Sequence, residues 1–144
     1  MFHDLPSKIY LGVIFLTVAF AWWKGERAER IGSLFNAVLT IGVVLFQSVT
    51  HQAFGSIPIL IGDGFLVTGF LFLAFRYASL WLAAAMVLQA ASFLIHASLL
   101  MNLLPTHRFY LAAMNVLGAL VMLVILLGTA GAWYRRTHPR AALA

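Results

Sequence analysis

Asp63 poses the chemical question in this sequence. It lies within Ile57–Arg76, IPILIGDGFLVTGFLFLAFR, an almost wholly apolar run, and it is the only acidic residue after Glu29. An ionisable side chain at membrane depth marks a functional site by default. A carboxylate there can bind a cation, carry a proton, or fix the orientation of a histidine. A plainer reading competes. Gly62 and Gly64 flank the acid, so Gly62-Asp63-Gly64 could form a turn, with Asp63 as the N-cap of a helix that starts at Gly64.

The partners for such an acid come from other parts of the chain. His96 is the most deeply placed histidine. A neutral imidazole can ligate a metal, a haem iron or a chlorophyll magnesium, or simply hydrogen-bond Gln47 or Asn115. His51 offers a second ligand, so His96 and His51 together could hold a haem or a pigment. His51, Asp63 and His96 could instead form a mixed nitrogen and oxygen site for a divalent metal such as zinc. His3, His107 and His138 read as solvated. No Walker motif, HExxH or GxSxG occurs, and no nucleophile pairs with a base, so the sequence gives no reason to expect an enzyme. With no cysteine in the chain, disulfides and thiolate sites are excluded.

These residues need elements to position them, and composition says what kind. The chain has 144 residues, 63% hydrophobic and 9% charged. Soluble domains carry roughly 25% charged residues, so this chain lacks the polar surface that water requires. The expected fold is an all-α integral membrane protein, a compact bundle of transmembrane helices. Hydropathy and punctuation place five spans at about 7–23, 31–51, 57–77, 80–104 and 109–133. Residues 1–134 form one domain, and 135–144 a short basic cytoplasmic tail, frayed from Tyr134. Lys8, the apolar run from Ile9 and Ala19-Phe20-Ala21 mimic a signal peptide, but Asp4 and the bulky Trp22 and Trp23 argue for a first span.

Charge orients the spans. Lys24, Arg27, Arg30, Arg76, Arg135, Arg136 and Arg140 share one side, against Lys8 and Arg108 on the other. The positive-inside rule then gives an N-out, C-in protein of a bacterial-type cytoplasmic membrane. Trp22, Trp23, Trp81 and Trp133 fall at the inner interface, and Tyr10 and Tyr110 at the outer one. The formal net charge of +5 follows from this bias and from anionic lipid, so nucleic acid is not expected as a partner.

At a rise of about 1.5 Å per residue, Gln47, Asp63, His96 and Asn115 lie roughly 20–27 Å from the inner ends of their spans, and His51 roughly 30 Å. Four spans therefore contribute polar groups to the outer half of the bundle. Ser33, Asn36, Thr40, Gln47 and His51 share a stripe roughly 60° wide. Gln89, Ser92 and His96 share a face of the fourth span, while Ala83, Ala90 and Ala97 form a packing face. The ligand, ion or cofactor candidates are thus Asp63, His96, His51, Gln47, Asn115 and Gln89. Glu26, Arg27, Glu29 and Arg30 make a charged loop that could face a partner, and Arg76 reads as a snorkelling side chain.

Three functions fit this pattern. Small size, short loops and the lack of a soluble domain point first to an accessory subunit of a larger membrane complex, with lipid and other membrane subunits, or its own copies, as partners. A small oligomeric transporter or proton or ion conductor built on Asp63 comes second. A haem- or pigment-binding subunit using His96 and His51 comes third.

Overall fold

The computed structural model describes residues 5–50, 57–103 and 106–138. They form five helices: α1 (Leu5–Lys24), α2 (Arg27–Thr50), α3 (Ile57–Tyr77), α4 (Leu80–Leu100) and α5 (His107–Thr137). Four of them, α2 to α5, are long and apolar enough to cross a membrane. The apolar part of α1 with described side chains, Leu11–Lys24, is shorter. Bulky apolar side chains point outward all round the bundle, with Phe75 82% and Leu80 90% exposed. Water-soluble monomers rarely expose so much contiguous apolar surface, and the pattern fits a multi-pass membrane protein.

The helices pack as a ring in chain order, α1–α2–α3–α4–α5, closed by contacts between α5 and α1 and crossed by contacts between α2 and α5. Consecutive helices are antiparallel. Phe35 meets Gly69 near one end of the α2–α3 pair and Val43 meets Gly62 nearer the other. Trp81 meets Gly128, and His96 meets Tyr110, along α4 and α5. The odd number of helices leaves α1 parallel to α5, so Ile14 packs with Met122 and Lys24 with Trp133. Lys24, the α1–α2 connection, the α3–α4 turn and the end of α5 thereby gather at one end, called here the charged end.

The helix ends differ from the expected spans for local reasons. Helix α2 starts at Arg27, not Ile31, because Glu29 accepts a hydrogen bond from the Glu26 amide at 3.0 Å, one half of a capping box. The charged segment is thus the first turn of α2 rather than a loop. Helix α4 stops at Leu100, before Leu104. Asn102 adopts φ 56°, its amide donates to Leu99 O, and the Leu103 amide donates to Ser98 O, which is the Schellman pattern with asparagine in the left-handed position. Helix α5 starts at His107 because Thr106 caps it, accepting from the Phe109 amide at 3.2 Å. It runs on to Thr137, so Arg135 and Arg136 are helical rather than frayed.

Two aromatic sockets lock the half of the bundle nearer the charged end. Phe35 lies over Gly69 and meets Phe70 edge-on at 5.9 Å. Trp81 lies between Gly32 and Gly128, where an added Cβ would approach the indole to 2.7 and 2.5 Å. Small residues let membrane helices come this close. Around these rings Leu66, Phe70, Leu73, Leu82 and Ala85 form the main core cluster.

Candidate functional site

Helix α3 buries Ile59, Asp63, Leu66, Phe70 and Leu73, spaced by four, three, four and three residues. Helix α4 buries Leu82, Ala85, Gln89, Ser92 and His96 with the complementary spacing. Each set is one face of a helix. The faces meet antiparallel, so Asp63, seven residues before Phe70, falls opposite the stretch of α4 from Gln89 to His96.

There the Asp63 carboxylate is held by two side chains. Oδ1 accepts from Gln89 Nε2 at 3.2 Å, and Oδ2 meets His96 Nδ1 in a very short contact. Asp63 is 6% and His96 4% exposed. Tyr110, at the start of α5 and 1% exposed, packs edge-on against the His96 ring, with centroids 5.4 Å apart and planes at 62°. Three helices therefore converge on the pair, roughly 21 Å from the charged end as measured along α3.

The geometry overturns the cap reading of Asp63. The residue lies inside α3, six positions past its start at Ile57, and its carboxylate oxygens engage Gln89 and His96 rather than the amides of Phe65 and Leu66. Gly62 and Gly64 are ordinary helical residues, with Val43 and Phe93 as their neighbours.

The expected cluster assembles only in part. Asp63, Gln89 and His96 come together; Ser92, on the same face, bonds its own backbone at Leu88 O. Asn115 is exposed on the outer surface of α5 and does not join them. His51 and the side chain of Gln47 lie outside the described residues. So the two-histidine haem or pigment set and the His51–Asp63–His96 metal set meet the structure in Asp63 and His96 alone. Among the described residues no three histidine or acidic side chains come together.

Two features escaped the sequence reading. Tyr110 was expected in an interfacial belt but turns inward onto His96. Glu29, expected in an exposed partner-facing loop, is 3% exposed and accepts a hydrogen bond from the Trp81 indole at 3.0 Å. Trp81 correspondingly serves as an inward lock rather than an interfacial anchor. Glu26 and Arg27 remain exposed, and Arg30 is half-buried with its Nε on Gly25 O at 3.2 Å. No spacing motif announces the Glu29–Trp81 bond, which joins residues 52 positions apart.

What this arrangement can do follows from its groups. A buried carboxylate is costly unless it is paired and hydrogen-bonded, and here both oxygens are engaged. A proton added to the neutral-imidazole form makes an imidazolium–carboxylate ion pair, or a carboxylic acid beside an imidazole. In either form the pair offers one buried site for a proton between α3 and α4.

No family model matches the chain, and neither a curated protein nor a solved structure matches it.

Proposed function

We propose that the protein is a small proton-conducting or proton-coupled transporter of a bacterial-type cytoplasmic membrane, with the Asp63–His96 pair as its proton-binding site. The single observation behind this reading is the buried contact between the two ionisable side chains on neighbouring membrane helices, completed by Gln89. Ionisable residues inside membrane helices are costly, pair with one another and mark ion pathways and proton relays. In the proposed topology all five helices cross the membrane, N-out and C-in. Grouping Lys24, Arg27, Arg30, Arg76, Arg135 and Arg136 at the charged end supports the positive-inside assignment. Five spans are few for a transport pathway, so the working unit is an oligomer.

Reconstitution tests the proposal. Proteoliposomes loaded with a pH-sensitive dye should relax an imposed pH gradient faster than empty vesicles. Asp63→Asn keeps the size of the side chain and the acceptor for Gln89, yet removes the titrating group. Its flux should fall at least about tenfold. Wild-type protein without flux, or flux unchanged in Asp63→Asn, would sink the transport reading. The first of those outcomes, together with stable copurifying membrane subunits, would favour the accessory-subunit role instead.

A further inference from the structure

The charged end carries a cleft that the Asp63 site does not use. It has a volume of about 880 Å³ and opens between the α1–α2 connection, the α3–α4 turn and the last turns of α5. That volume is within the roughly 300–1,000 Å³ of small-molecule sites. Arg27, Arg30, Arg135 and Arg136 line it, against two acids, Glu26 and Glu29.

The arginines are not neutralised. Both oxygens of Glu29 are taken, one by the Trp81 indole and one by the Glu26 amide. Among the described residues no arginine forms an ion pair with a carboxylate. Arg30 and Arg136 instead donate to backbone carbonyls, Gly25 O and Lys24 O respectively. These bonds leave further N–H donors on both guanidinium groups, and the four arginines outnumber the two acids of the cleft. The cleft also has an apolar continuation. Leu127, Gly128 and Gly131 carry its lining along α5. A Cβ at Gly131 would meet only Arg135 Nη1, at 3.6 Å, so the groove is open there.

Guanidinium groups above an apolar groove, at the level where a membrane helix leaves the lipid core, match one occupant. We infer that this cleft binds an anionic phospholipid, its phosphate on Arg30, Arg135 and Arg136 and the start of an acyl chain beside Gly131 and Leu127. Arginine forks suit phosphate oxygens, and basic pockets on the cytoplasmic side of membrane bundles take such headgroups. The inference uses the placement of the charged end in a membrane and is independent of the role of Asp63.

Native mass spectrometry of the delipidated full chain, titrated with dioleoyl phosphatidylglycerol, tests it. Arg135→Gln/Arg136→Gln should weaken binding of the first lipid at least about tenfold. Arg76→Gln supplies the control: Arg76 sits at the same end but is not among the residues that line the cleft, and its loss should leave binding within about twofold. Gly131→Leu keeps every charge but fills the groove, and should weaken binding comparably. Thermal melting of each variant reports whether it is folded. Equal losses in Arg76→Gln and the double variant, undiminished binding in Gly131→Leu, or equal affinity for dioleoyl phosphatidylcholine would each overturn the inference. So would full competition by millimolar inorganic phosphate, which would assign the cleft to a soluble anion.

Discussion

At the scale of single residues, the Asp63 carboxylate is the group on which most depends. Removing it by Asp63→Ala strands Gln89 Nε2 and His96 Nδ1 in a buried site. An unsatisfied buried polar group costs about 1–3 kcal/mol, so this variant should melt well below wild type in a detergent thermal ramp. Asp63→Asn retains the acceptor for Gln89 and should lose less. That contrast separates the pair's structural contribution from its chemistry, because the proposed function predicts that Asn fails in flux while still folding. Much of this site was legible in the sequence. An acid in an apolar run, and Gln89 and His96 seven residues apart on one helix face, are local patterns. Their mutual contact was not, because it depends on how far α4 slides along α3, which the short Ala78-Ser79 turn and the facing core residues set. Tyr110 was misplaced for a similar reason: a tyrosine near a span end reads as interfacial unless the neighbouring ring is known.

At the scale of elements, the fit of aromatic rings into glycine sockets holds α2, α4 and α5 together. Trp81 is central, seated on Gly32 and Gly128 and tethered by its indole to Glu29. An alanine at Gly128 would place its Cβ 2.5 Å from Trp81 Cγ, the rigid base of the indole rather than its tip. Overpacking of this kind typically costs about 1–3 kcal/mol. Gly128→Ala should therefore lower the melting temperature, and Gly131→Ala, where the groove is open, should leave it nearly unchanged. Equal melting of the two variants would show that the socket is not tight. Span existence could be read from composition and hydropathy, but span ends could not. The expected end of α4 at Leu104 lost to the left-handed Asn102. The expected start of α2 at Ile31 lost to the Glu29 cap, because charged residues were read as loop rather than as first-turn residues. In both cases a side-chain or turn hydrogen bond, not hydrophobicity, decided the boundary.

At the scale of the molecule, the ring of five helices fixes what each end can meet. The absence of native cysteine makes single introduced thiols clean reporters of topology. With N-out, C-in placement, Glu26→Cys and Thr137→Cys should react with an impermeant maleimide only from the cytoplasmic face, and Met101→Cys only from the opposite face. Reaction of Glu26→Cys and Met101→Cys from one side would remove α2, α3 or α4 from the set of spanning helices. The pattern of charges read along the chain was enough to suggest this orientation, since it needs only the order of spans. The cleft at the charged end was not legible, because Arg30 and Arg135 come to line one cleft only when α5 packs back against α2.

The proposed function turns on whether the Asp63–His96 pair takes up a proton within the bundle. Infrared difference spectroscopy on the reconstituted protein, stepped across the pH range in which flux changes, measures this directly. Proton uptake by the pair predicts one of two bands that grow on acidification and are lost in Asp63→Asn: a carboxylic-acid carbonyl band that shifts with ¹³C-labelled aspartate, or an imidazolium ring band that shifts with ¹⁵N-labelled histidine and is lost in His96→Gln. Absence of both bands over that range, or persistence of the observed band in Asp63→Asn, would contradict the proposed function.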